Sequence, residues 1–156
     1  MSEVRVNVWR VVQRSPSQYL LALQDDNRQL LEMTIGICEA FSIQSAFRQG
    51  QGLPEIATTH DLLGELIDRL GGRLSKVVID DLWNKVYFAK LYVSLNGDVV
   101  TIDSRPSDAV AIALRLDAPL YATDSVMSAA NEPDEREPPP ETDVNSLDTD
   151  LGEDEL

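Results

Sequence analysis

The stretch Ile102-Asp-Ser-Arg-Pro-Ser-Asp-Ala-Val-Ala-Ile-Ala-Leu-Arg115 constrains the fold more than any other part of the chain. Val99 to Ile102 is β-branched throughout and predicts a strand. Pro106 cannot continue that strand's ladder, but its fixed φ suits the first turn of a helix. The apolar run after it predicts a helix over 106–116. Asp103, Ser104, Arg105, Ser107 and Asp108 are thereby confined to a strand-to-helix turn, where unpaired N–H groups and the helix dipole favour anionic groups. Asp108 and the serines can be explained as caps alone. Arg105 cannot, and it points to a polar site.

The rest of the chain supplies elements around that turn. Val4, Val6, Val8 and Val12 alternate with polar residues as in a strand with one buried face. Ser15-Pro16-Ser17 is a turn, and Tyr19–Leu23 and Leu30–Ile35 read as two further strands joined by Asp25-Asp26-Asn27. A helix follows over 37–48, with Ala40, Phe41, Ile43, Ala46 and Phe47 as its apolar stripe. Gly50-Gln51-Gly52-Leu53-Pro54 breaks it. Thr59 can cap a helix over 60–70, in which Leu62, Leu63, Leu66, Ile67 and Leu70 recur at helical spacing.

Strands are expected over 74–82, 86–95 and 99–102. Asn96-Gly97 is a two-residue hairpin and Asn84-Lys85 a looser turn. A short strand over 119–122 and a helical turn or two over 124–130 complete the order. The expected fold class is α+β: a mixed, largely antiparallel sheet packed with three to four helices.

Charge divides the chain in two. The net charge is −14, and residues 132–156 hold eleven acids against Arg136, so residues 1–131 carry only −4. The last segment also contains Pro133 and Pro138-Pro139-Pro140, and too few apolar residues to offset its ordering entropy. The expected organisation is one domain over 1–131 and a disordered acidic tail over 132–156. No apolar run approaches the ~20 residues of a membrane span. The N-terminus lacks the pattern of a signal peptide, so a cytoplasmic location is expected. Cys38 is the single cysteine; set among apolar residues, it is expected to be buried and inert.

His60 is the only histidine, which removes any two-histidine metal site. Asp61 beside it can simply favour the helix N-terminus. Glu39 lies in the apolar block 35–43, where an acid must face solvent or have a partner; Arg105 is the partner to test. Trp83, Lys85, Tyr87, Lys90 and Tyr92 are candidates for a nucleic-acid platform; Lys90 and Tyr92 share one face of their strand and can stack and pair with a single nucleic acid strand. The competing reading is a sheet whose aromatic residues pack beneath a helix.

Residues 103–115, followed by Ala118-Pro-Leu-Tyr-Ala122, closely resemble the signature of the bifunctional nuclease domain family. Ile35-Gly-Ile-Cys-Glu-Ala-Phe-Ser-Ile43 resembles that family's Ile-Gly-x-x-Glu-Ala-x-x-Ile segment, and Thr59-His60-Asp61-Leu62 its Thr-His-Asp-Leu block. The resemblance spans roughly 4–128. In one departure, Glu55-Ile56-Ala57-Thr58 stands where the family places an Arg-Pro pair before Thr-His-Asp, which removes a positive charge.

The resemblance implies a nuclease that hydrolyses phosphodiester bonds in DNA and RNA with little sequence preference. It implies that three blocks converge on one cleft. Glu39, His60, Asp61, Asp103 and Asp108 would be catalytic, and Arg105, Ser107, Lys90 and Tyr92 would bind substrate. Asp103 and Asp108 would hold Mg²⁺ or Mn²⁺. The same residues also suit a non-catalytic interaction or regulatory module, in which an Asp-Arg-Asp network ties three elements together. The mildly acidic domain favours that alternative, since phosphate binding draws on Lys and Arg. Six or seven short strands with three or four helices leave sheet surface uncovered, so a homodimer is expected.

Overall fold

A computed structural model describes residues 2–49 and 57–132. The expected helix-breaking segment Gly50–Pro54, and the expected acidic tail apart from Glu132, lie outside these residues. The elements in chain order are β1 (Glu3–Ser15), β2 (Gln18–Asp25), β3 (Leu30–Ile35), α1 (Ile37–Ala46), α2 (Thr59–Arg69), β4 (Arg73–Trp83), β5 (Val86–Leu95), β6 (Asp98–Ser104), α3 (Pro106–Arg115), β7 (Leu120–Thr123) and α4 (Asp124–Asn131).

The strands form one seven-stranded sheet in the order β3-β2-β1-β7-β4-β5-β6. Every pairing is antiparallel except β4 with β7. Two hairpin arms, β1–β2–β3 and β4–β5–β6, are thus joined through the short β7. The class is α+β, as expected.

Period-two alternation explains which face is buried. Val6, Leu21, Leu23, Val77, Ile79 and Leu91 point to the helix side and are almost inaccessible. Against them lies α3, whose Ala109–Ala113 segment is buried throughout because small side chains let the helix approach the sheet closely. α1 and α2 pack on α3, and α4 packs against both β3 and β4. Three strands separate β3 from β4 in the sheet, so the sheet curls around α4. The β3 edge and the β4–β5 hairpin end thereby approach one another.

Local departures from the sequence reading have simple causes. Asn84 and Lys85 both adopt positive φ (50° and 64°), giving a tight two-residue turn instead of a loose one. Thr58, not Thr59, caps α2: its hydroxyl accepts from the Asp61 N–H, and the Asp61 carboxylate accepts from the Thr58 N–H, closing a capping box. Cys38 is exposed, because α1 turns its Ala40 and Ile43 edge inward and leaves Cys38 on the outer side. For the same reason Phe41 and Phe47 of the expected stripe face solvent.

Candidate active site

The strand-to-helix turn forms as its sequence implies, but Asp108 does not cap α3. Arg105 occupies the N-cap with extended backbone and no side-chain cap bond. Its guanidinium instead curls over the first helical turn. Arg105 Nε donates to Asp108 Oδ2 at 2.6 Å and Nη2 to Oδ1 at 3.1 Å, the forked geometry that a carboxylate accepts best. Nη2 also donates to Glu39 Oε1 at 2.8 Å, linking α3 to α1.

Glu39 reaches this position because Gly36 is the α1 N-cap. A Cβ at Gly36 would stand 2.5 Å from Glu39 Oε2. The φ there is an ordinary −77°, so the glycine supplies space and not backbone freedom.

Behind Arg105, His60 Nε2 lies 2.8 Å from Asp108 Oδ1, and His60 Nδ1 lies 2.7 Å from Ser42 Oγ. An ionised carboxylate only accepts, so Nε2 carries a proton, and in the neutral ring Nδ1 accepts from the Ser42 hydroxyl. Ser42, His60 and Asp108 therefore stand in a hydrogen-bonded row. Ser42 is only 2% exposed, so no substrate reaches its hydroxyl and the serine orients the ring. The ring also faces the opposite way from a hydrolase triad, in which serine bonds Nε2.

Asp61 belongs to a second, deeper cluster. Arg115, with its side chain only 5% exposed, donates from Nε to Asp61 Oδ1 at 2.5 Å. It also donates to the Ala111 and Ser42 carbonyls and to Thr58 Oγ1. One guanidinium thus ties α1, α2 and α3 together. Among the described residues no buried side-chain polar atom lacks a partner.

The electrostatics follow from these contacts. Burial pushes the Asp108 carboxyl up, but the Arg105 hydrogen bonds and then His60 outweigh it and hold it below the usual carboxylate range. Burial likewise opposes ionisation of Asp61, and the Thr58 N–H and Arg115 reverse it. Arg105 is held more firmly protonated by Asp108, with Glu39 contributing less.

Arg105 faces a groove of about 1020 Å³ bounded by β3, the start of α1, the Leu82–Tyr87 hairpin end, the start of α3 and the end of α4. Glu39, Arg105 and Ser107 line it, while His60 and Asp108 stand behind Arg105 and outside the lining. Ser107 is itself buried. Tyr87 also lines the groove; burial, then the charge of Glu32 on the opposite wall, raises its phenol above the ordinary value.

Three expected site residues are elsewhere. Asp103 pairs across strands with Lys90, on the sheet face turned away from the helices, because both alternate with inward residues. Asp103 and Asp108 therefore do not form a shared metal site. Among the described residues no three His, Cys, Asp or Glu side chains stand together as metal ligands. The oxygens of Asp108 are committed to Arg105 and His60. The donor set does not fit a protein-held Mg²⁺ or Mn²⁺ built on that pair.

Lys90 and Tyr92 do share a face, but it is that same helix-free face. There Lys90 is bound to Asp80 at 2.5 Å, which raises its pKa, and Lys76 lies between the Tyr92 and Tyr121 rings. These aromatics do not pack beneath a helix.

The sequence reading missed Ser42, Thr58, Arg115 and Gly36, and it set Tyr87 among the aromatics of a strand platform, whereas Tyr87 lines this groove. Arg115 had a visible signal, as an arginine ending an otherwise apolar helix. Ser42 had only its place in an apolar block.

Comparison with known proteins places the chain in a family. The family model for the bifunctional nuclease domain matches residues 20–135. An uncharacterized protein of Mycobacterium tuberculosis is 38% identical over 130 residues, covering 83% of this chain and 76% of its own length. Bifunctional nuclease 2 of Arabidopsis thaliana is 35% identical over 66 residues, 40% of this chain and 20% of the plant protein. Bifunctional nuclease 2 of Oryza sativa subsp. japonica is 29% identical over 106 residues, 65% of this chain and 31% of its own length. No helix among the described residues is long and apolar enough to cross a membrane. With a family model covering most of its length, the chain belongs to the bifunctional nuclease domain family.

Proposed function

We propose that this protein is a nuclease that hydrolyses phosphodiester bonds of DNA and RNA in the groove beside Arg105. The observation that carries this reading is the Glu39–Arg105–Asp108–His60 chain at the groove wall. Arg105 is held by Asp108 on one side, yet its side chain remains 67% exposed. A substrate phosphate competes with Glu39 for the same guanidinium. Once displaced, the Glu39 carboxylate is free to accept a proton from an attacking water. Water forms the new P–O bond and its proton passes to Glu39, while the P–O bond to the leaving oxygen breaks and that oxygen is protonated from solvent. Asp108, steadied by His60 and Ser42, keeps the Arg105 fork aimed at the phosphate. Glu39 is the catalytic base in this scheme, Arg105 binds substrate, and Asp108 and His60 position it.

One observation favours a non-catalytic interaction or regulatory module instead. Glu39, Arg105 and Asp108 together sum to −1, so a phosphate meets a site whose net charge is already negative. The two readings separate in one experiment. The purified full chain is incubated with single-stranded and duplex DNA and RNA, with Mg²⁺, with Mn²⁺ and with a chelator. Wild type is expected to cleave, Glu39→Gln to lower kcat about 100-fold, and Arg105→Ala to act mainly on KM. No cleavage under any condition, or both variants matching wild type, overturns the nuclease reading. The chelator arm reports whether a divalent cation participates.

A further inference from the structure

The most conspicuous surface left without a role lies on α2. At 100° per residue, His60, Gly64 and Ile67 form the edge turned toward the rest of the domain; Gly64 meets Leu116 just beyond α3. Leu63, Leu70, Leu66 and Leu62 follow in one direction around the helix, and Asp61, Glu65, Asp68 and Arg69 occupy the other. The four leucines are 39–74% exposed. An amphipathic surface helix lays its apolar stripe on a core, yet α2 lays down only the margin of its stripe.

The uncovered stripe borders a second uncovered element. Gly72, just after α2, packs against Ile67 and against Val93 of β5. Val93 pairs across strands with Val100 of β6. Val100 and Ile102 point to the helix side, but they are 45% and 46% exposed because α3 packs on β4 and β5 and leaves β6 uncovered. Among the described residues β6 is also the last strand of the sheet, and no strand there pairs with its outer side. Its centre, Val99 to Ile102, carries no charge, and the strand holds neither the lysine nor the proline that guards an edge.

We propose that Leu62, Leu63, Leu66, Leu70, Val100 and Ile102 form a docking surface for a second copy of this chain, with β6 antiparallel to β6 of the partner. Self-complementarity favours this occupant over another protein. A twofold axis perpendicular to the sheet pairs β6 with its own copy, joins the two sheets, and keeps both sets of helices on one side. The α2 stripes then meet across the axis. Such an isologous contact closes on itself and gives a dimer instead of a fibre.

Registers centred on Val100 or Thr101 keep Asp98 from facing Asp103 of the partner. Charge points the same way. Residues 1–131 carry a net −4, and this charge-free patch lets two acidic domains meet without repulsion at the contact. The six side chains offer on the order of 500 Å² of apolar surface, toward the upper end of what a monomer exposes. That is a fitting centre for the ~800 Å² per partner that a standard interface buries.

Analytical ultracentrifugation of the full chain across the micromolar range tests this, and no nuclease assay enters it. Wild type is expected to be a dimer. Val100→Lys with Ile102→Lys, and separately Leu66→Glu with Leu70→Glu, are each expected to weaken it about 100-fold or more, with circular dichroism unchanged. Leu70→Glu alone, at the most exposed of the six positions, keeps the test decisive should either double variant fail to fold. A wild-type monomer throughout overturns the proposal and leaves the surface to a different partner. A dimer indifferent to the folded variants overturns it as well.

Discussion

His60 Nε2 and Asp108 Oδ1 meet at 2.8 Å across the boundary between α2 and α3, although forty-eight positions separate them in the chain. The contact joins the block around Thr59 to the signature turn. It also makes Asp108 the one carboxylate shared by the exposed Arg105 and the buried imidazole.

Removing that carboxylate leaves both donors short of an acceptor. Asp108→Ala is expected to cost about 1–3 kcal/mol of stability, read from urea denaturation. Asp108→Asn, which keeps an acceptor oxygen for His60, is expected to cost less. Equal stability of Asp108→Ala and wild type would show that the pair contributes nothing to the fold.

Arg115 ties α1, α2 and α3 together through a single guanidinium. Arg115→Ala takes the charged partner from Asp61, which keeps its Thr58 hydrogen bonds, and one donor from each of three further acceptors; it is expected to lose about 3–5 kcal/mol. Arg115→Lys is expected to restore little, since a single ammonium cannot reproduce the planar fork. Thermal and urea unfolding of the three proteins side by side measures this.

Gly36→Ala is a local probe of Glu39. The added Cβ collides only with the end of a flexible side chain, so stability is expected to change by less than about 0.5 kcal/mol. Glu39 must move, however, and its bond to Arg105 is expected to lengthen or break. Chemical shifts of the Arg105 guanidinium protons would report the change, and an unchanged spectrum would refute it.

Asp61 and Asp108 both have pKa values lowered in the folded protein. Ionisation therefore favours the native state. The stability it supplies is complete above the unfolded-chain value near pH 4 and is lost as pH falls through the lower native values. The urea midpoint is expected to drop on acidification below about pH 4. In Asp61→Asn and in Asp108→Asn that drop is expected to be shallower. A wild-type midpoint flat across that range would contradict the assignment.

Most of the fold follows from local physics that acts within a few residues. Strict alternation in β3, the Asn96-Gly97 turn and the Pro106 start of α3 each fix an element without reference to the rest of the chain. Glu39 with Arg105 was legible too, because a lone acid in an apolar block requires a partner and the signature turn offered one.

What the chain could not show is which of its polar residues meet. Asp103 and Asp108 are five positions apart, but β6 alternation turns one to the helix-free face while α3 carries the other to the helix side. Asp61 and His60 are adjacent, and successive helical positions diverge by about 100°, so one serves Arg115 and the other Asp108. Exposure along α2 is likewise a tertiary outcome. Its leucine spacing makes an amphipathic helix in any context, and only the placement of α3 beside it, with β6 left uncovered, turns that stripe toward solvent.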